Sequence, residues 1–85
     1  MTGASPMKYI VFKTPRGEAP VLFPHEFTHS WVAGELKPLL VISAGFVEMT
    51  DGIPRCFGHS SSLNVASRGQ QDSALVLAHL EGNSP

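Results

Sequence analysis

Residues 25–29 form the strongest catalytic pattern in this sequence. They read His25-Glu26-Phe27-Thr28-His29, which matches H-E-x-x-H. On a helix, side chains four residues apart lie on one face, so two imidazoles at this spacing can bind one Zn²⁺. A glutamate between them can act as general base toward a metal-bound water. The pattern therefore indicates a zinc site with His25 and His29 as ligands and Glu26 as the base.

This pentapeptide resembles the active-site helix of zinc metalloproteases, and the resemblance implies peptidase activity with zinc as cofactor. It covers residues 25–29 only, because Val32 and Glu35 stand where the longer metzincin pattern has glycine and histidine or aspartate. The preceding Pro24 predicts that the motif begins a helix, whereas these enzymes place it inside a long one. We therefore interpret the pattern as a coincidence, with no catalytic residue and no cofactor. A zinc-binding protein or minimal metallopeptidase is the alternative.

Cys56 and His59 form a second metal-like spacing, C-x-x-H. With His25 and His29 they would offer one sulfur and three nitrogens to a tetrahedral zinc, although structural zinc sites usually contain more cysteine. His59 is also a candidate base for a Cys56 nucleophile, which would need a lowered thiol pKa. The simpler interpretation, which we adopt, places Cys56 in the core and His59 in a loop.

Phe27, Trp31 and Pro54 are the residues from which we predict a partner surface. Phe27 and Trp31 lie four residues apart and share one helical face. Such a pair usually belongs to the core, but two aromatic side chains exposed together mark a contact surface. Pro54 cannot donate to a strand ladder, so it predicts an edge strand over residues 53–57. A free edge is a template for strand addition by a partner.

The N-terminal half predicts a hairpin followed by a short helix. Residues 8–13 hold a β-branched and aromatic core, and residues 21–23 form a second, short strand after a turn rich in Pro and Gly. Residues 24–33 predict a helix, since proline suits the first helical position and Gly34 supplies a stop.

The middle of the chain predicts further strands. Residues 39–49 are mostly apolar and rich in β-branched side chains, which predicts a long buried strand with Gly45 as a bulge or a close backbone approach. Asp51-Gly52 favours a tight turn into a partner strand over residues 53–57. Residues 63–65 predict one more short strand.

Residues 67–81 predict the longest helix, with Ser67 and Gln70 as a capping box and Gly82 as the stop. Short links between neighbouring strands favour antiparallel pairing. The predicted fold is therefore α+β: an antiparallel sheet of four to five strands, one long C-terminal helix and one short helix after the first hairpin.

Length and composition limit the function classes. With 85 residues the chain is expected to form one domain over residues 7–82, with flexible tails at residues 1–6 and 83–85. So small a domain buries a thin core, which a homodimer interface would supplement. Charged residues make up 15% of the chain, and its six basic residues are scattered. Nucleic-acid binding requires a clustered basic patch, so this distribution argues against a nucleic-acid partner.

We expect a cytoplasmic protein without a membrane partner. The single cysteine excludes an intramolecular disulfide, which small secreted domains usually contain. The N-terminal segment lacks the layout of a signal peptide. The longest apolar stretch, residues 38–47, has about half of the ~20 residues that a transmembrane helix needs.

A set of positions spread over residues 7–80 gives the chain a distinct layout: Met7-Lys8-Tyr9, Leu22-Phe23-Pro24, His29, Val32-Ala33, Ser43-Ala44-Gly45-Phe46-Val47, Gly52, Cys56, Gly58, Ser60 and Ser67-Arg68. In this layout the chain resembles a kind of short uncharacterised protein from bacterial and phage genomes. The resemblance implies a single small domain and a mobile-element or prophage origin, and it implies no activity.

Together these patterns predict a small non-enzymatic module that binds a protein partner or forms a homodimer. Small size, low charge and the predicted edge around Pro54 favour this function. Binding of a small ligand between sheet and helix is a further alternative, which the sequence neither supports nor opposes.

Overall fold

The computed structural model describes residues 6–82. The predicted tails at residues 1–6 and 83–85 therefore lie outside the described residues, apart from Pro6. The element order confirms the predicted α+β class, with a short helix after the first hairpin and the longer helix at the C-terminus. The elements are β1 Met7–Thr14, β2 Gly17–Phe23, α1 His29–Glu35, β3 Leu40–Thr50, β4 Ile53–Phe57, β5 His59–Ser60, β6 Val65–Ala66 and α2 Gln70–Leu80.

A four-stranded antiparallel sheet in the order β2-β1-β3-β4 forms the centre of the fold. β1 lies inside this sheet, and its consecutive residues Tyr9, Ile10, Val11 and Phe12 are all buried. A strand covered on both faces requires such a continuous apolar run, because successive side chains point to opposite faces. The short strands β5 and β6 pair with each other in a separate two-stranded sheet.

Each face of the four-stranded sheet has its own core. One core packs the sheet against α2 and contains Tyr9, Val11, Val47, Cys56 and Val76. The other packs the sheet against α1, with side chains from around β6 beside it, and contains Ile10, Phe12, Phe23, Val32 and Ala44. The sheet is therefore the middle layer, and α1 and α2 cover opposite faces of it.

The turn between β3 and β4 is the one that Asp-Gly predicts. Asp51 and Gly52 have φ angles of 52° and 80°. Two positive φ angles are typical of the type I′ hairpin turn, whose twist matches that of the flanking strands. The pairing of Thr50 with Ile53 makes Asp51-Gly52 a two-residue loop and fixes the register of the whole hairpin.

The predicted helix over residues 24–33 is wrong at its start, because α1 begins at His29. A turn precedes the helix, closed by the Phe27 amide, which donates to the Pro24 carbonyl at 3.1 Å. Thr28 then has an extended backbone, with φ −82° and ψ 152°, and its hydroxyl accepts from the amide three residues later at 3.1 Å. Threonine is a favoured helix cap, so the helix starts only after it.

The predicted capping box of the last helix is also wrong. α2 begins at Gln70 with Gly69 as its N-cap and no side-chain cap. The Ser67 hydroxyl instead donates to the Tyr9 oxygen at 2.7 Å, because the single Tyr9 proton goes to Asp72, and it accepts from the Gly69 amide at 2.9 Å. Gly82, with φ 74°, follows the C-cap and ends the helix as predicted.

Neither helix in the described part of the chain has the length and apolarity to cross a bilayer.

Gly45 is a close backbone approach in β3, as predicted. A Cβ at this position would overlap the carbonyl oxygen of Phe57 and would lie 3.2 Å from Cβ of Ser67. The Phe57 oxygen belongs to the backbone of β4, so it cannot rotate away as a side chain could. The irregularity in the pairing of β1 with β3 lies elsewhere, between Val11 and Phe12. Position 45 therefore requires glycine for space.

We expect Gly45→Ala to lower the free energy of unfolding by about 1–3 kcal/mol, because the added methyl group overpacks a backbone contact. Gly34 in α1 is the matched control, since a Cβ there would meet nothing within 4 Å. Gly34→Ala should raise the free energy of unfolding by about 0.5–1 kcal/mol through helix propensity. Urea unfolding of both variants checks this, and a Gly45→Ala protein as stable as the wild type would contradict it.

Candidate functional site

The residues of the H-E-x-x-H pattern do not share one helix. His25 and Glu26 lie in the turn before α1, and both side chains are exposed, with the ring nitrogen 3.7 Å from the carboxylate. His29 is the first residue of α1 and is buried. The side chains that a helical pattern would place on one face therefore occupy different environments.

His29 anchors α1 to the sheet. Its Nε2 lies 2.9 Å from the Gly45 carbonyl oxygen, and because a carbonyl only accepts, Nε2 holds the proton and donates. The ring packs edge-on against Phe23 and Phe46, with centroid distances of 5.6 and 5.8 Å. Burial lowers the pKa of His29, and the charge of Lys8 acts in the same direction. The lowered pKa favours the neutral form of His29. Its Nε2 carries the proton that it donates to Gly45, so this nitrogen cannot bind zinc.

Cys56 and His59 do not complete a metal site with these histidines. Among residues 6–82, no three side chains of His, Cys, Asp or Glu are grouped so that they could hold an ion. Cys56 is buried in the core under α2, and this burial raises the pKa of its thiol. A raised pKa disfavours the thiolate, which is the form that binds metals and attacks substrates. His59 is exposed in β5.

A buried hydrogen-bond network, which was not predicted from the sequence, joins α2 to β1. The Asp72 side chain is fully buried. Its Oδ2 accepts from the Tyr9 hydroxyl at 2.6 Å and from the Arg68 amide at 2.9 Å, and its Oδ1 accepts from Arg68 Nε at 2.7 Å. The Arg68 guanidinium also donates to both carboxylate oxygens of Glu18, at 2.8 and 3.2 Å. The network therefore extends to β2.

The donors around Asp72 outweigh the effect of its burial. Burial acts to raise the pKa of this carboxyl, but hydrogen bonds from Tyr9 and Arg68 bring its pKa below the ordinary value. Burial and the bond to Asp72 raise the pKa of Tyr9. The Ser43 hydroxyl, which is fully buried, also favours the charged form of Asp72, although it makes no hydrogen bond of normal geometry. Tyr9 stays a neutral donor and Asp72 stays ionised, as a structural pair requires.

Phe27 and Trp31 lie together on the surface. Their rings are stacked with centroids 5.2 Å apart, and the residues are 44% and 54% exposed. Lys8 Nζ donates to the Phe27 carbonyl at 2.8 Å, and the Trp31 amide donates to the Thr28 hydroxyl at 3.1 Å. These bonds anchor the backbone at both members of the pair, so the two rings form a fixed apolar surface.

The edge strand β4 lacks the donors that strand addition needs. Paired residues alternate along an antiparallel ladder, so from the Thr50–Ile53 closing pair the amide positions of residues 54 and 56 point away from β3. Pro54 has no N–H, and the Cys56 amide donates to the Ser73 hydroxyl of α2 at 2.8 Å. Pro54 is also buried, so its side chain adds nothing to a partner surface.

A cleft of about 300 Å³ lies between β2 and α2, at the position where the sequence left small-ligand binding open. No protein-family model, curated protein or solved structure matches the chain. Two features of the described surface are candidate binding sites: the stacked aromatic pair beside α1 and the cleft beside α2. The cleft is lined by Thr14, Arg16, Glu18, Ala19, Pro20, Leu75 and His79.

The lowered pKa of His29 predicts a loss of stability in mild acid. Below the ordinary pKa of 6.5, the unfolded chain takes up a proton that the folded chain still resists. The contribution of His29 is therefore complete above that pH and falls below it, by at most about 1.4 kcal/mol per pH unit. We expect His29→Gln to reduce this slope in urea unfolding between about pH 6.5 and 5. His25→Gln, on an exposed turn, should keep the slope; equal slopes in wild type and His29→Gln would contradict the assignment.

The Tyr9–Asp72 hydrogen bond predicts a coupling energy. Tyr9→Phe removes one donor from a buried carboxylate and should lower the free energy of unfolding by about 1–3 kcal/mol. Asp72→Ala removes the acceptor, leaves Arg68 without its buried partner and should cost about 3–5 kcal/mol. A double-mutant cycle should show coupling of about 0.5–3 kcal/mol, and strictly additive losses would show that the bond contributes no net stability. Glu18→Gln, at the exposed end of the network, should cost less than either change.

Proposed function

We propose that this protein is a small non-enzymatic module that binds protein through Phe27 and Trp31, and that a second copy of the chain is its partner. The observation that carries the proposal is the stacked, half-exposed pair on an anchored backbone. Tryptophan is enriched among residues that dominate binding energy, and an ordered aromatic side chain loses little conformational entropy on binding.

Low charge favours the second copy as the occupant. The chain has a net charge of −1, so two copies repel each other weakly at neutral pH. A dimer with twofold symmetry brings the same patch of both chains together, which suits a compact apolar surface such as Phe27 and Trp31. It would also bury additional apolar area for a domain whose own core is small.

The groups best suited to chemistry are engaged in structural contacts, which supports a non-enzymatic function. His29 donates from Nε2 to the sheet backbone, and Asp72 is buried with Tyr9 and Arg68 as its donors. The Cys56 thiol is free and buried, with a raised pKa. A reduced thiol fits the cytoplasm, which we include in the proposal. The prophage origin that the layout implies stays a prediction.

We expect the wild-type protein to show concentration-dependent dimerisation in sedimentation equilibrium, and Trp31→Ala to weaken it at least about tenfold. Met49→Ala is the matched control, because Met49 is 51% exposed and lies on the opposite face of the sheet from α1. Met49 is two residues from Val47 in β3, so both side chains point to the α2 face. The control variant should leave the dimer unchanged. A strict monomer, or an equal loss in both variants, would overturn self-association through this surface.

A further inference from the structure

The cleft between β2 and α2 combines an apolar floor with polar groups at its rim. Pro20 is buried in the edge strand, and Leu75 packs against the core under α2. Arg16, in the turn between β1 and β2, and His79, in the last turn of α2, are exposed at the opening. Its volume of about 300 Å³ is at the lower end of the range for ligand pockets.

Positive charge is in excess at this rim. Glu18 is the one carboxylate that lines the cleft, and both of its oxygens accept from Arg68. These hydrogen bonds lower the pKa of Glu18, so that its charge is held by Arg68 within the protein. Lys13 lies opposite Glu18 in the neighbouring strand and adds further positive charge beside it.

Arg16 is the cation that remains for a ligand. Its guanidinium makes no ion pair with another residue of the described chain, whereas Arg55 and Arg68 are both paired. The Arg16 backbone is held in place, because its amide donates to the Thr14 hydroxyl at 3.1 Å. A guanidinium can donate two parallel hydrogen bonds to one carboxylate, which gives it a preference for that group over other anions of different shape.

We propose that this cleft binds small monocarboxylates with an apolar body. The apolar part lies between Pro20 and Leu75, the carboxylate faces Arg16, and the His79 imidazole supplies a second polar contact at the opening. This site lies on the α2 side of the sheet and is separate from the Phe27–Trp31 surface, so it stands or falls independently of the proposed self-association.

The test uses three probes with one apolar body and different end groups: phenylbutyrate, phenylbutanol and phenylbutylamine. Amide chemical shifts of the isotope-labelled full chain are followed during titration with each probe. Phenylbutyrate should shift the amides of Thr14, Arg16, Ala19, Leu75 and His79 with a Kd on the order of millimolar. Phenylbutanol should bind about two- to fivefold more weakly, and phenylbutylamine more weakly still, because an exposed charge pair contributes that range of affinity.

Two surface variants complete the test, and neither removes a core side chain. Arg16→Gln should weaken phenylbutyrate about two- to fivefold and leave phenylbutanol unchanged. Lys37→Gln, which removes an exposed charge outside the cleft lining, should change neither probe. The proposal is overturned if the cleft amides do not shift, if phenylbutylamine binds as tightly as phenylbutyrate, or if Arg16→Gln has no more effect than Lys37→Gln.

Discussion

A buried carboxylate at the interface of sheet and helix determines where α2 docks. Asp72 is fully buried, and an ionised carboxylate in such a place costs several kcal/mol unless donors surround it. Tyr9 and Arg68 supply those donors, and Tyr9 lies in a central strand. The first turn of α2 can therefore dock only over the middle of the sheet. Its last turn then lies beside β2, and the cleft is the space that this placement leaves open.

Gly45 links the two faces of the sheet. Its missing side chain leaves room for the Phe57 carbonyl and for Ser67, whose hydroxyl is hydrogen-bonded to Tyr9 in the Asp72 network. Its carbonyl oxygen accepts from His29, which holds α1 on the opposite face. The position of α1 in turn sets where Trp31 is exposed. A single residue of β3 thus connects the packing of α2 with the presentation of the aromatic surface.

Local sequence patterns predicted the elements better than their ends. The apolar run of β1 and the Asp51-Gly52 turn depend on residues adjacent in the chain, and both formed as predicted. The Ser67 hydroxyl was predicted to cap a helix, but it is hydrogen-bonded instead to the hydroxyl of Tyr9, 58 residues away. A carboxylate four residues before the buried Val76 on one helical face is a signal that Asp72 needs donors. The identity of those donors depends on tertiary contacts, which a single sequence does not contain.

A proline interrupts the outward donors on each edge of the four-stranded sheet, and this restricts how the protein can bind a partner. Pro20 lies in β2 and Pro54 in β4, and neither residue has an N–H to offer. In β4 the next outward amide, that of Cys56, already donates to Ser73. Binding is therefore favoured through exposed side chains beside α1 and α2, the helices that cover the two faces of the sheet. Because the buried sheet separates the aromatic pair from the cleft, a change in exposed side chains on one face should act additively with a change on the other.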